Sequence, residues 1–411
     1  MKQIVLLISV LIYLQTFSLD FSDNKLISYT LWKTVTKEEI KKKMKESHVP
    51  KSLLNPKYDV DIYDVTYKTY WHDNSSIMAS GLVFVPRGVN KSMPEVVYHH
   101  GTRVQKGREK HVDGESYICL GLAVDGYLVL KPDYIGLGHG EKFHLYQQYK
   151  SLGQSSADMI YAIREFSDTL QIKTNEQLFL TGYSEGGYAA VAANKVIQES
   201  YPDLKVTATS GNSGAYDMAG AQSEVMFKTY SHPHYLPYIL KGFNEVYNIV
   251  PDINKIYKAP YDSLMPIYLD GHHRLKALDE ILPKIPKDMV VDSFVEAYKT
   301  DSNFLMHKAL KENSLINWKP ENPVQLCYCN ADEQVTYKNA FVARDGMKKL
   351  GAKHVTLRSG GKKYGHYKCA LFASMYTKLY FDSFRNGSKY GRKGKAGKRF
   401  LLALAKLAIK T

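Results

Sequence analysis

A strand, a sharp turn and a helix follow one another around residue 184. The run from Gln177 to Thr181 is short and apolar, the next five residues fit Gly-x-Ser-x-Gly (Gly182 to Gly186), and an alanine-rich run of good helix formers follows. A nucleophilic serine needs such a turn, because a side chain at either flanking glycine would clash with the strand or the helix. The pattern therefore predicts Ser184 as a nucleophile; the alternative is a glycine-rich turn that holds an inert serine.

Strands and helices alternate along most of the remaining chain. The predicted strands are 94–98, 127–131, 205–210, 324–329 and 354–358, and the predicted helices are 115–124, 156–170, 337–350 and 366–384. Before them, 58–70 and 77–86 alternate polar and apolar residues, which predicts an antiparallel pair at a sheet edge. Thr36 and Glu39 form a capping box that opens a short charged helix. The pattern predicts an α/β fold, a mostly parallel sheet with helices on both faces.

The alternation is absent between Ser213 and Pro323. Helical spacing at 222–227, 236–247, 274–281 and 290–311 predicts an inserted helical cap over the C-terminal edge of the sheet; an ordinary packing layer with no role in the site is the alternative. Its aromatic residues are expected to form an acyl or leaving-group pocket: Tyr235, Tyr238, Phe243, Tyr247, Tyr257 and Tyr268. The predicted domains are a signal peptide (1–18), a first core part (19–213), the cap (214–322), a second core part (323–386) and a basic amphipathic tail (387–411).

A serine elbow needs a base and an acid that orients it, in the chain order serine, acid, histidine. The strand 324–329 is followed by Asp332, which we predict as the acid, with Glu333 as the near alternative. His366 lies in a glycine-rich loop just before a helix and is the predicted base. His354 is a poor candidate because it begins a strand and so lies at the wrong end of the sheet.

Two backbone N–H groups are predicted to stabilise the oxyanion of the transition state. One belongs to Glu185, the residue after the nucleophile. The other is expected from the loop after the strand 94–98, where Gly101 allows close approach and we assign the N–H of Thr102. For His99 and His100 in the same segment, packing at the strand end is favoured over proton transfer.

The remaining histidines and the cysteines give weaker signals. His232, His234, His272 and His273 lack carboxylates at ligand spacing and are expected to be surface residues rather than metal ligands. Cys119, Cys327, Cys329 and Cys369 allow three pairings between which the sequence does not choose, and buried thiols are an equal alternative. Neither a metal nor an organic cofactor is expected.

Both ends of the chain differ from the body. Met1 and Lys2, an apolar run and a cut after Ser18 predict a secretory signal peptide and an extracellular or periplasmic protein; a retained anchor is the alternative. The formal charge is +14, but nine Lys and Arg and no acid lie between Arg385 and Lys410, and subtracting them leaves +5. Nucleic acid binding is therefore not indicated. Positions 398–410 fit a cationic amphipathic helix that could contact a membrane surface; a solvated tail is equally consistent.

The motifs in this order resemble an α/β-hydrolase. They are Tyr98-His-His-Gly-Thr102, Asp133-Tyr-Ile-Gly-Leu-Gly138, Gly182-Tyr-Ser-Glu-Gly186, Ala331-Asp-Glu-Gln-Val335 and Gly365-His366. Within that superfamily the chain is similar, over roughly residues 58–384, to secreted lipases and esterases, the secretory lipase-like branch. The resemblance implies the triad Ser184, Asp332 and His366. The glutamate at position 185 is expected to weaken binding of anionic substrates, and the tail departs from the family pattern.

These observations predict a secreted serine hydrolase that cleaves carboxylic esters, a carboxylesterase or lipase, through an acyl-enzyme. Its partner would be a small-molecule or lipid ester. A serine peptidase of the prolyl-oligopeptidase type uses the same triad, although no propeller repeat is visible in the sequence. A catalytically silent α/β-hydrolase that acts as a binding module is the alternative from another class.

Overall fold

The structure, a computed structural model, describes residues 24–46, 54–107, 111–112 and 114–391. The predicted signal peptide and residues 392–411 of the predicted tail lie outside the described residues. None of the helices in the described part is long and apolar enough to cross a membrane.

Nine strands in the described residues form one sheet in the order β1-β2-β3-β5-β4-β6-β7-β8-β9. Their bounds are β1 Leu26–Val35, β2 Val60–Tyr70, β3 Ser76–Pro86, β4 Met93–His99, β5 Leu128–Pro132, β6 Thr174–Tyr183, β7 Val206–Asn212, β8 Val324–Cys329 and β9 Val355–Gly361. Strands β1, β2 and β3 pair antiparallel, and β3 also pairs antiparallel with β5. The remaining neighbours in the sheet pair in parallel, which makes a parallel part of six strands: β5, β4, β6, β7, β8 and β9. The predicted antiparallel pairing of β2 with β3 and the predicted parallel sheet are both confirmed, but β1 pairs with β2 on its outer side, so the edge strand is β1 and not a member of the predicted pair.

Helices cover both faces of the sheet. The core helices are α1 Lys37–Glu46, α2 Gly114–Ala123, α3 Tyr149–Thr169, α4 Glu185–Ser200, α10 Lys338–Lys349 and α11 His366–Arg385. Buried side chains of α3, α4 and α10 pack on one face, and those of α1, α2 and α11 pack on the other. The fold is therefore the α/β-hydrolase arrangement that the sequence predicts.

Helix α1 begins with the predicted capping box. The backbone N–H of Thr36 donates to Glu39 Oε2 at 2.7 Å, and the N–H of Glu39 donates to Thr36 Oγ1 at 3.2 Å. The two side chains thus satisfy two N–H groups that the first turn of the helix leaves without intrahelical partners.

The segment between β7 and β8 contains α5 Tyr235–Tyr247, α6 Tyr261–Tyr268, α7 Leu275–Ile281, α8 Asp292–Thr300 and α9 Leu305–Glu312, with short 3-10 helices between them. The helical spacing at 290–311 corresponds to two helices, α8 and α9, which are separated by a turn in which the Asp301 carboxylate accepts the N–H of Asn303 at 2.8 Å. Strand β1 and helix α6 were not predicted. The division of the chain into domains stays a prediction.

Candidate active site

Ser184 lies in the sharp turn between β6 and α4. Its backbone angles, φ 60° and ψ −122°, fall in a sparsely populated region, and its N–H donates to the carbonyl of Asn212 at 2.9 Å. A side chain at Gly182 or Gly186 would overlap the carbonyl oxygen of His99 on the neighbouring strand. The glycines are thus required by close approach of two strand ends, and the turn holds the serine at the C-terminal edge of the sheet.

His366 and Asp332 form a buried pair beside this turn. The imidazole Nδ1 lies 2.8 and 2.9 Å from the two carboxylate oxygens of Asp332, and the side chains are 4% and 1% exposed. The backbone N–H groups of Gln334 and Val335 also donate to Asp332 Oδ1. The carboxylate is therefore held in place by the loop that follows β8 and can orient the imidazole.

Glu333 binds a different part of the same histidine. Its Oε2 accepts the backbone N–H of His366 at 3.0 Å, at the start of α11, where the first N–H groups lack intrahelical partners and a negative charge is favourable. Asp332 therefore contacts the imidazole, whereas Glu333 caps the helix that carries it.

Strand β6 and helix α11 meet next to the serine. Tyr183 donates its hydroxyl to the carbonyl of His366, and the two rings lie 4.9 Å apart. A disulfide joins Cys329 at the end of β8 to Cys369 in the first turn of α11. Within the described chain no hydrogen bond joins Ser184 Oγ to His366, and it is Tyr183, the residue before the serine, that contacts the histidine directly.

The loop after β4 approaches the serine from the other side. A Cβ built on Gly101 would lie 3.7 Å from that of Ser184. The N–H of Gly101 is occupied, because it donates to Glu115 Oε1 and Oε2 at 3.1 and 3.0 Å. The hydroxyl of Thr102 lies 3.0 Å from that of Tyr146. Glu115 therefore anchors the loop one residue before Thr102.

His99 and His100 are packed inside the protein, as predicted. His99 contacts the Thr181 carbonyl and the Ser156 hydroxyl at 2.9 and 2.8 Å. Burial lowers the pKa of His99 to about 4 and that of His100 to about 3, so both rings are neutral at pH 7.

The side chain of Glu185 is buried beside the turn. Its Oε1 lies 2.6 Å from His144 Nε2, and the two side chains are 0% and 1% exposed. Burial raises the pKa of the Glu185 carboxyl, while His144 opposes that rise. The carboxyl near the nucleophile is therefore paired inside the protein rather than solvated.

A cavity of about 80 Å³ opens at Ser184 beneath the segment between β7 and β8. Its wall is mostly aliphatic, methionine and aromatic, and includes Met218, Met226, Tyr235, Leu236, Ile239 and Leu240. Of the six aromatic residues expected to line a pocket, all of them described, only Tyr235 lines this cavity. The other five lie elsewhere in the cap; Tyr238, for example, is buried and donates its hydroxyl to the Arg103 carbonyl.

The expectation that four histidines of the cap lie at the surface is wrong for His234. His234 is 1% exposed, and its Nδ1 lies 2.6 Å from Asp279, a residue 45 positions away that no local spacing connects to it. His273 does lie near the surface and contacts Asp270 at 3.1 Å. Among the described residues, no three His, Cys, Asp or Glu side chains are grouped so that they could hold a metal ion.

Three side chains at the site were not identified from the sequence as participants: Glu115, His144 and Tyr146. Each lies in a loop or first helical turn close in sequence to a quoted motif, Tyr98 to Thr102 or Asp133 to Gly138. That proximity is the only signal in the sequence, and their contacts depend on how the loops fold back on the turn.

Comparison with known proteins extends these findings. The family model described as secretory lipase matches residues 107–374. No curated protein matches the chain in sequence.

Solved structures match nearly the whole fold. A candidate hydrolase from Legionella pneumophila subsp. pneumophila str. Philadelphia 1 is 28% identical, with a TM-score of 0.82 over 89% of this chain and 99% of that one. The rice cell wall degrading esterase LipA from Xanthomonas oryzae is 22% identical, with a TM-score of 0.74 over 86% and 95%. Candida antarctica lipase A in its closed state is 15% identical, with a TM-score of 0.65 over 90% and 83%. The latter two share the fold with this chain.

Proposed function

The chain belongs to the secretory lipase family, and from that premise we propose that it hydrolyses carboxylic esters through an acyl-enzyme formed on Ser184. The observation that carries the proposal is the buried pair of His366 and Asp332 next to a serine in a strained elbow. That set of residues can supply a nucleophile, a base and an orienting acid.

In the proposed mechanism Ser184 Oγ attacks the ester carbonyl while His366 Nε2 accepts its proton. Asp332 holds the Nδ1 hydrogen, which fixes the tautomer and stabilises the imidazolium. His366 then donates the proton to the leaving alcohol. Water then attacks the acyl carbonyl while His366 accepts its proton; the bond between the acyl carbon and Ser184 Oγ breaks, the acid leaves, and His366 returns the proton to Ser184 Oγ.

We assign stabilisation of the tetrahedral oxyanion to hydrogen bonds from the backbone N–H groups of Glu185 and Thr102. Residue 185 begins α4, where the helix dipole favours a negative charge. Gly101 is a poor second donor because its N–H already binds Glu115. Thr102 follows it on the same loop, which supports the assignment made from the sequence.

The cavity at Ser184 supports an apolar acyl group as the part of the substrate that enters the cap. Its apolar wall favours methylene groups by about 0.8 kcal/mol for each one buried. The substrate would be a small-molecule or lipid ester.

We also propose secretion, supported by the family description and by the signal-like pattern of residues 1–18. Contact of the basic segment 398–410 with a membrane surface is part of the same proposal, supported by its charge pattern alone.

The test is hydrolysis of p-nitrophenyl esters of graded acyl length by the purified protein, beside Ser184→Ala. Ser374→Ala is the matched control, because this half-buried serine on α11 donates only to the Ala370 carbonyl. We expect activity that Ser184→Ala abolishes and Ser374→Ala retains. Full ester hydrolysis by Ser184→Ala would overturn the proposal.

A fluorophosphonate probe separates the alternatives. A protein that is silent on every ester but is labelled at Ser184 would favour the serine peptidase. A protein that is neither active nor labelled would favour the silent binding module.

A further inference from the structure

Glu185 and His144 form a fully enclosed acid–base pair near the serine. Glu185 begins α4 directly after Ser184, and His144 lies on the loop between β5 and α3. The two side chains are 0% and 1% exposed, with 2.6 Å between Oε1 and Nε2. The pair thus connects the residue that supplies an oxyanion N–H to a loop 41 positions earlier.

The contacts of His144 determine the charge of the pair. Its Nδ1 lies 3.1 Å from the carbonyl oxygen of Ile135, which can only accept, so Nδ1 carries a hydrogen. At 2.6 Å, Nε2 and the Glu185 carboxyl need one proton between them, because two lone pairs would repel each other. Whether that proton is on nitrogen or on oxygen, the pair has no net charge.

The surroundings keep the pair apart from other charges. The described titratable groups that face it are four phenols: Tyr134 from the loop after β5, Tyr146 from the loop before α3, and Tyr235 and Tyr238 from α5. Burial raises the pKa of each phenol well above its ordinary value, so none is charged at neutral pH. The Tyr134 ring is also stacked on the His144 ring at 5.4 Å, which fixes the imidazole plane.

We propose that His144 is a positioning residue that shares one proton with Glu185 and thereby keeps the oxyanion site free of an uncompensated carboxylate. This inference rests on the proposed ester hydrolysis. In the proposed reaction a negatively charged oxygen of the tetrahedral intermediate lies against the N–H of residue 185. An unpaired carboxylate on the same residue would repel that oxygen, because the buried site has a low dielectric constant and screens charge poorly. Pairing with His144 removes that repulsion and holds the first residue of α4 in place.

The experiment compares His144→Gln, Glu185→Gln and the double variant in the full chain, with p-nitrophenyl butyrate from pH 5.5 to 9.5. Glutamine at position 144 can still donate to Glu185 but cannot supply the shared proton. The matched control is His139→Gln on the same loop, because His139 contacts the Asp64 carboxylate at 3.1 Å but is 48% exposed. Inhibition by phenylboronic acid, which forms an anionic tetrahedral adduct with a serine, reports on the oxyanion site.

For His144→Gln we expect kcat to fall about tenfold, with KM changed less than about twofold and a similar rise in the boronic acid inhibition constant. Its kcat should also decline as the pH rises through the Glu185 pKa, because the carboxyl then ionises without compensation. Glu185→Gln should lower kcat about threefold, and adding it to His144→Gln should recover most of the lost rate and abolish the alkaline decline.

A kcat in His144→Gln equal to that of His139→Gln, or a double variant no faster than His144→Gln, overturns the inference. If His144→Gln does not fold, the kcat of the double variant is compared with that of Glu185→Gln. A kcat more than about tenfold lower in the double variant overturns the inference. A wild-type protein that hydrolyses no ester defeats the proposed function instead, so the two failures are distinguishable.

Discussion

Asp332 contacts the Nδ1 of His366 with both carboxylate oxygens, at 2.8 and 2.9 Å, and so determines where the hydrogen of the imidazole lies. Its neighbour Glu333 also binds His366, but through the backbone N–H at 3.0 Å. Consecutive acids thus have separable effects on one histidine.

Asp332→Asn is expected to lower kcat for p-nitrophenyl butyrate by about 10³ to 10⁴, because an amide can donate to Nδ1 and stabilise the wrong tautomer. Glu333→Gln retains an oxygen that accepts the backbone N–H of His366, so this variant should lower kcat by less than about tenfold. Steady-state kinetics measures both values. Equal losses in the two variants would contradict the assignment.

Ile239→Trp should shorten the preferred acyl chain, because Ile239 lines the cavity of about 80 Å³ at Ser184. Excluding two methylene groups removes about 1.6 kcal/mol of favourable burial, so the ratio of kcat/KM for long over short esters should fall about tenfold. Ile267→Trp is the control, since Ile267 is 53% exposed on α6. An unchanged ratio in Ile239→Trp would place the acyl group elsewhere.

Glu115→Ala should lower kcat about tenfold with little change in KM, because it removes the acceptor of the Gly101 N–H and frees the loop that carries Thr102. Glu46→Ala on α1, where the carboxylate is largely exposed, serves as the control. A variant that raises KM alone would show that Glu115 supports substrate binding and not the oxyanion loop.

Acid should destabilise the protein through His99, whose pKa is lowered to about 4 from an ordinary 6.5. The folded state favours the neutral ring, so its contribution is present above pH 6.5 and is lost as the pH falls towards 4, by about 3 kcal/mol in total. His99→Gln should flatten the fall in free energy of unfolding across that range, measured by urea denaturation. His139→Gln, at an exposed site, should retain the wild-type slope; the same slope in His99→Gln would refute the prediction.

The sequence predicted the elements that hold the site because each has a strong local signal. Ser184 is marked by glycines that the close approach of two strands requires, and Asp332 and His366 each follow a strand with a clear pattern. Their pairing follows from parallel topology, since the C-terminal ends of parallel strands share one edge of the sheet.

Contacts made by loops were not predictable in the same way. The Glu185 and His144 pair joins positions 41 apart through a loop whose path depends on packing. In the cap, composition identifies six aromatic residues but does not tell which face each presents, and only Tyr235 reaches the cavity. The break between α8 and α9 is a turn at Asp301, where the carboxylate accepts the N–H of Asn303 and the carbonyl accepts the N–H of Phe304, and periodicity does not reveal it.

The disulfide between Cys329 and Cys369 brackets the acid and base symmetrically, since Cys329 lies three residues before Asp332 and Cys369 three after His366. The separation of the two groups is therefore limited by covalent bonds as well as by packing. Opening of the first turn of α11 cannot carry the histidine far from its acid. While the bond is intact, the acid and the base stay within the reach of two three-residue segments, about 10 Å each when extended, even if heat or denaturant loosens the loop after β8 and the first turn of α11.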